Sequence, residues 1–576
     1  MRLRTLASLA PFLFALVAGG GQDLAAQKDP KKDAATPQDP SLGDVQDFVT
    51  WFEDYRVGKI RMVHDMQVDE QALADADARM AKLAHWNTLG AAQKLLDAAM
   101  VDPTVPGQIS STDNIDFRAE LLPWRVRALA RKHIAAMTAD GLDDWLIGIL
   151  QSKGLRDADE RGDVDRRRAD AVLQILGARP GTQGQLALLE ATSRMPPKLR
   201  LRAIDVLADS GRPELTDTFV RMLADKEADV RIAAANAIGG ALGPHTDETT
   251  LSTIDDAVIP LRGAAIEALQ RVLCRDEVWQ VRAAACHALA ALKCKAAIPA
   301  LIAGYDAELK RKKDPWAMDM RLHHTLEQMT GQRVGFGNAG LWQDFWKKEG
   351  TSMRLVKPSD VAKAEKTGES RYERFFSLEL ESDRVLFVID FSGSMQEPIT
   401  LQTGTTSTGV GVTTTKARLV VDEMKKIVTS LPDGSYFNIV VFSDEVRVWR
   451  PARDGTPELV KLDDQTRDDL LGSFLDSLAP RGPTNLYGAL DKAIGFAGRG
   501  LADKHYALGF DTVYVMSDGA PSWGEVVDKD EIRRRVRETN RLKRLTINCI
   551  TFGDKNDTDF LRLLAEENGG RHVHVE

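Results

Sequence analysis

The stretch Val385-Leu386-Phe387-Val388-Ile389-Asp390-Phe391-Ser392-Gly393-Ser394 decides the reading of this chain. Its five leading apolar residues predict a short strand buried on both faces. A carboxylate and two hydroxyls follow where that strand ends. Hard oxygen donors grouped in this way suit a hard divalent cation. Two remote segments supply further donors of the same kind, Gly482-Pro483-Thr484-Asn485 and Met516-Ser517-Asp518-Gly519.

Working outward, similar runs recur at Tyr436–Phe442, Thr512–Met516 and Leu545–Phe552, all rich in Val, Ile and aromatics. Helical patterns separate them at Lys416–Leu431, Thr466–Leu478, Leu486–Ala497, Asp530–Lys543 and Asp557–Glu567. Apolar strands alternating with amphipathic helices predict a doubly wound, mostly parallel α/β sheet with both faces covered. Val446-Arg447-Val448-Trp449 follows its strand too closely for a helical crossover, so an antiparallel edge strand is expected there. His572-Val573-His574-Val575 reads as a last short strand whose histidines face solvent. In such sheets, ligands bind beyond the carboxyl ends of the strands, at the switch point of strand order. Asp390, Thr484 and Asp518 are therefore expected to meet at one sheet edge.

Two aspartates and three hydroxyls, with no His and no Cys, favour Mg²⁺, or else Mn²⁺ or Ca²⁺, over Zn²⁺ or Cu²⁺. The three segments together resemble the metal-ion-dependent adhesion site of von Willebrand factor type A domains. The resemblance covers residues 372–576. That family's Asp-x-Ser-x-Ser element matches Asp390, Ser392 and Ser394, its threonine matches Thr484, and its second aspartate matches Asp518. The resemblance implies a Rossmann-like fold and an ion held partly directly and partly through water. It also implies a protein partner whose acidic side chain completes the coordination. The chain departs from the family at residues 400–415 (TLQTGTTSTGVGVTTT), a Thr/Gly-rich insert that reads either as a lid or recognition loop or as padding. Trp523 reads either as a rim aromatic or as a packing residue.

The N-terminal part is helical. Leu176, Leu207 and Ile238 recur every 31 residues, each in an Ala- and Arg-rich helix. Asp229-Val230-Arg231-Ile232-Ala233-Ala234-Ala235 returns in looser form as Gln280-Val281-Arg282-Ala283-Ala284-Ala285. Units of this length bury their apolar faces only by stacking. They resemble HEAT repeats, which implies an α-helical solenoid. Trp342, Phe345 and Trp346 lie at i, i+3 and i+4, an aromatic helix face expected to pack on the neighbouring repeat.

The remaining features bound the function. A chain of 576 residues exceeds one core. Residues 1–26 read as a signal peptide, with Arg2 and Arg4 before the apolar Leu6–Val17 and Leu24-Ala25-Ala26 at the cleavage site. Residues 27–43 read as a spacer, 44–160 as a helical region, 161–350 as HEAT-like repeats, and 351–371 as the linker to the sheet domain. The mature protein is expected to be exported, in the periplasm or outside the cell, with no later membrane span. A net charge of −9 and no long basic run argue against nucleic acid as the partner. Cys274, Cys286, Cys294 and Cys549 form no C-x-x-C pair and read as buried apolar residues.

The function expected is a non-enzymatic, metal-dependent protein-binding scaffold. Asp390 as an aspartyl nucleophile of a Mg²⁺-dependent hydrolase or phosphotransferase is the alternative, although position 392 holds Ser where such enzymes commonly place a second acid. An accessory subunit of an ATPase- or chelatase-type machine is a third reading. Asp518→Ala and Ser392→Ala are expected to leave the fold largely intact.

Overall fold

The computed structural model describes residues 42–575 except 65–66, 101–121, 153–162, 180, 312–317, 351, 357–373, 376–377, 381, 383, 402–411, 432, 452, 454–457, 496–509 and 553–554. The signal peptide, most of the spacer, most of the linker and the centre of the Thr/Gly insert lie outside the described residues.

Among the described residues, those of 42–349 form helices and their connections apart from one short antiparallel pair, Val63–His64 with Gln67–Val68. The repeat helices include α1 (Pro197–Asp209), α2 (Ala228–Thr246), α3 (Val258–Arg275), α4 (Trp279–Ala291), α5 (Ile298–Leu309), α6 (Met318–Thr330) and α7 (Ala339–Glu349). Glycines of α2 facing alanines of α4 let the two helices approach closely: a Cβ on Gly239 would lie 3.2 Å from Ala288 Cα, and one on Gly243 2.7 Å from Ala291 O.

An arginine ladder links successive repeats. Arg231 Nη1 donates to the carbonyls of Asp225 and Lys226, and its Nε donates to Asp276 at 2.8 Å. Arg282 repeats the pattern on Asp276 and Glu277, with Glu308 as its acid at 2.7 Å. Each arginine closes the turn before its own helix and reaches an acid of the next unit, so Asp-Val-Arg and Gln-Val-Arg do the same mechanical job.

The aromatic face on α7 packs inward at Trp342, which is fully buried and donates from Nε1 to His323 Nδ1 at 3.2 Å.

The second half is a seven-stranded sheet. Its strands are β1 (Arg384–Asp390), β2 (Tyr436–Phe442), β3 (Val446–Val448), β4 (Val460–Lys461), β5 (Thr512–Ser517), β6 (Thr546–Phe552) and β7 (His572–Val575). The order is β4-β2-β1-β5-β6-β7, with β3 also on β2. The pairings β2-β1-β5-β6-β7 are parallel, and β3 and β4 run antiparallel to β2. Strand order reverses at β1, whose neighbours are β2 on one side and β5 on the other. Helices α8 (Lys416–Ser430), α9 (Leu486–Gly495), α10 (Lys529–Lys543) and α11 (Lys555–Glu567) accompany the strands.

Alternation along β1 sends Val385, Phe387 and Ile389 into one core with α8. Leu386 and Val388 point into a second core with α9 and α10. That second core is continuous with the repeat core, so the two halves share one apolar interior.

Three details depart from expectation. The flanks of the Thr/Gly insert are ordered by each other: Pro398–Leu401 and Val412–Thr415 pair as antiparallel strands. Thr466–Leu478 is not one α-helix but an α-turn, a π-turn and a 3-10 turn in succession. The histidines of β7 do not simply face solvent. His572 Nε2 and His574 Nδ1 both lie about Thr551 Oγ1, at 2.9 and 3.0 Å, and are half-buried. All four cysteines are unpaired.

Candidate functional site

Asp390 ends β1 and is fully buried. Its Oδ1 accepts from the Ser392 amide at 2.8 Å and its Oδ2 from Ser517 Oγ at 2.6 Å. Burial pushes its carboxyl up to about 6, against the pull of those hydrogen bonds. Backbone hydrogen bonds also clamp the following loop. Phe391 N donates to Phe442 O at the end of β2 (2.7 Å), and Gly393 N donates to Gly482 O (2.8 Å). Arg481 N in turn donates to Phe391 O (2.9 Å). Gly482 has φ +67°, and a Cβ there would stand 2.9 Å from Asp444 Oδ1, so the turn that presents Thr484 needs glycine.

Asp390, Ser392, Ser394 and Asp518 meet at the carboxyl edge of the sheet, with the Thr484 loop fastened beside them. Ser392 Oγ and Ser394 Oγ are 3.1 Å apart, and Ser394 Oγ donates to Asp518 Oδ1 at 2.8 Å. Thr484 is tied in through its backbone: its amide donates to Ser522 Oγ at 3.0 Å. Its carbonyl accepts from the amides of Ser522 and Trp523 at 3.0 and 3.1 Å. Thus Trp523 joins the site by its main chain.

An octahedral Mg²⁺ with bonds of about 2.1 Å sets adjacent oxygens about 3 Å apart. The two oxygen–oxygen spacings through Ser394 are of that size, and every donor is oxygen. The residues present therefore fit a hard divalent cation. Among the described residues, no cluster of three or more His, Cys, Asp and Glu is placed to hold a metal. Hydroxyls would carry as much of such a site as carboxylates.

Sequence reasoning missed Lys416. This lysine opens α8, where Thr415 Oγ1 caps the helix by accepting from the Arg418 amide at 3.2 Å. Its ammonium donates to Asp518 Oδ2 at 2.8 Å and to Glu397 at 2.6 Å. Burial works against its charge, but the hydrogen bonds to Asp518 and Glu397 prevail and hold it above its ordinary range. The hairpin insert is what hides it: Lys416 follows Ser394 by 22 residues yet closes on the same carboxylate. Ser517 stands within Met516-Ser517-Asp518-Gly519, but its role as donor to Asp390 is visible only once β1 and β5 are adjacent.

Comparison with known proteins agrees with this architecture. Residues 410–573 match the family model of the von Willebrand factor type A domain, and residues 186–270 match the model of HEAT repeats. Human inter-alpha-trypsin inhibitor heavy chain H2 is 28% identical over 228 residues, which is 38% of this chain and 21% of that one. Human heavy chain H1 is 30% identical over 192 residues, covering 33% of this chain and 18% of that one. The chain thus spans about a fifth of the length of these relatives. A solved von Willebrand factor type A structure from Catenulispora acidiphila is 18% identical over 33% of this chain and 38% of that one, with a TM-score of 0.25, too low to bear on the fold. The chain carries a von Willebrand factor type A domain behind HEAT repeats.

Proposed function

We propose that this protein is an exported, non-enzymatic scaffold that binds a protein partner through a divalent cation. Ser392, Ser394, Thr484 and Asp518 hold Mg²⁺, or Mn²⁺ or Ca²⁺, directly or through water, with Asp390 beneath them. The ion supplies a positive charge that a partner's Asp or Glu side chain completes. The observation that carries this reading is the hydrogen-bonded chain from Asp390 through Ser392 and Ser394 to Asp518, at the strand ends beside the switch in strand order. The leader-like residues 1–26 support export. Among the described residues, no helix is long and apolar enough to cross a membrane.

The chain's own residues divide the work. Asp390 is a poor nucleophile candidate, since both of its oxygens are engaged and it is sealed from solvent. Its part is to orient the Ser392 amide and hence the hydroxyl loop. Neutral hydroxyls leave the bound ion its positive charge, and the loops around Thr484 and Trp523 frame its approach.

The test is the melting temperature of the full chain in EDTA and across a Mg²⁺, Mn²⁺ and Ca²⁺ series. A cation at a hundredfold excess over its Kd adds about 2.7 kcal/mol to the folded state. Peptide-display selection on the Mg²⁺-loaded chain, eluted with EDTA, should enrich Asp or Glu. The same melting temperature in EDTA and in all three cations would sink the metal site. Selection of peptides without acids, or insensitive to EDTA, would sink the proposed mode of recognition.

A further inference from the structure

A cavity of about 400 Å³ lies between the repeats and the sheet domain, at the edge of the sheet opposite Asp390 and Asp518. Helices α4 and α6 form one wall, and α10, the starts of β5 and β6 and the end of α11 form the other. Its volume is that of a small-molecule site. Five arginines line it: Arg321, Arg537, Arg541, Arg544 and Arg571. Among the described residues only two carboxylates do, and both are engaged. Asp511 accepts from Thr512 Oγ1 at 2.9 Å, and Glu567 pairs with Arg533.

The cationic wall is built across both domains. Arg321 on α6 donates to Arg544 O and Thr546 Oγ1, at 2.9 and 3.0 Å. Arg541 pairs with Asp205 on α1. The Nε atoms of Arg541 and Arg544 are buried without a hydrogen-bond acceptor among the described residues. So is Asn548 Nδ2: this side chain is almost fully buried, its Oδ1 accepts from the Arg571 amide at 2.8 Å, and its amide nitrogen is left over.

Burial, with Arg321 and Arg541 close by, presses the Arg544 guanidinium down to about 9. Burial and the same arginine field press His287 down to about 3, so its imidazole is neutral. Arginine keeps its charge at neutral pH. A desolvated arginine cluster is relieved by a counter-ion, and guanidinium forks fit the paired oxygens of phosphate and carboxylate.

We propose that this cavity binds a small multivalent oxyanion, a phosphate- or carboxylate-bearing molecule, gripped by Arg541 and Arg544 with Asn548 Nδ2 as a third donor. The gripping groups belong to the sheet domain, and Arg321 on α6 faces them from the repeats. The site is distinct from the cation site, which lies at the ends of β1 and β5, the far end of the sheet.

The test uses the full chain in EDTA at constant ionic strength, so that the cation site contributes nothing. Phosphate, pyrophosphate and citrate are titrated against a chloride control, with melting temperature and calorimetric heat as readouts. At least one oxyanion should raise the melting temperature by several degrees and saturate, as expected of a ligand at a hundredfold excess over its Kd. Arg544→Gln should abolish the rise. Arg537→Gln, at a solvent-exposed position on α10, should keep the chloride melting temperature and weaken binding several-fold. It decides the matter if Arg544→Gln fails to fold. Arg418→Gln, an exposed residue of α8 far from the cavity, should change nothing. A rise no larger than in chloride, or one unchanged in Arg537→Gln and Arg544→Gln, would overturn the proposal.

Discussion

Replacing Asp518 by Ala perturbs two things at once, the candidate cation site and the ammonium of Lys416. The side chains of Lys416 and Asp518 are only 6% and 1% exposed and meet at 2.8 Å. Removing one partner of a buried pair costs about 3–5 kcal/mol, because the other charge is stranded. Here Glu397 stays 2.6 Å from the ammonium, and although its side chain is 63% exposed it offsets part of that loss. Ser394 Oγ also loses its acceptor. We expect a net cost of about 2 kcal/mol in EDTA, or about 4–8 °C in the melting temperature of a domain of this size. A loss of this size leaves the fold largely intact, as expected of a residue at a strand end, but not without cost to stability.

Asp518→Ala with Lys416→Met should recover most of the stability and still show no response to Mg²⁺. Lys416→Met alone should be destabilised in EDTA and show a larger Mg²⁺-dependent rise than the parent, because the cation replaces the missing charge on Asp518. Thermal melts in EDTA and in Mg²⁺ read all four proteins. Asp518→Ala as stable as the parent in EDTA would refute the role of the Lys416 pair. A Mg²⁺ response that survives Asp518→Ala would refute the ligand set.

In the repeats, Arg282→Met should cost about 3 kcal/mol, since the buried Glu308 loses the guanidinium 2.7 Å away while Arg311 stays at 3.3 Å, and adding Glu308→Leu should restore much of it; urea unfolding followed by circular dichroism checks both. Gly570→Ala would set a Cβ 1.9 Å from Ile547 O, an immovable strand carbonyl, and should cost about 1–3 kcal/mol by the same assay. Burial opposes ionisation of Glu327, but hydrogen bonds from His323 and His324 outweigh it and hold its carboxyl down to about 2, below the usual 4.5. A folded value below the unfolded one gives stability that is present above pH 4.5 and lost as pH falls towards 2, about 1 kcal/mol after allowance for its partial exposure. Glu327→Gln should therefore flatten the loss of stability between pH 4.5 and 2 in acid melts, and an unchanged slope would count against the interaction.

Much of this was legible locally. The run at 385–389 announced a strand buried on both sides because every residue of it is apolar, and the recurrence at 31 residues announced stacking units. Residues that neighbour one another only in space were not legible. Lys416 stands beyond a hairpin insert, and no spacing rule links it to Asp518. The arms of that insert carry the composition of padding, yet each supplies the other's hydrogen-bond partners. The half-buried histidines of β7 were misjudged because alternation tells which residues share a face but not what that face meets, here Thr551.

The sequence by itself determined the kinds and order of elements and the oxygen donors at 390–394, 484 and 518, because periodicity and side-chain chemistry are local properties. Only the tertiary structure decided that β1 lies between β2 and β5, that Lys416 occupies the second oxygen of Asp518, and that arginines from two domains face one cavity. These depend on long-range strand pairing and on a shared apolar core, where burial sets which charges find partners and which are left without them.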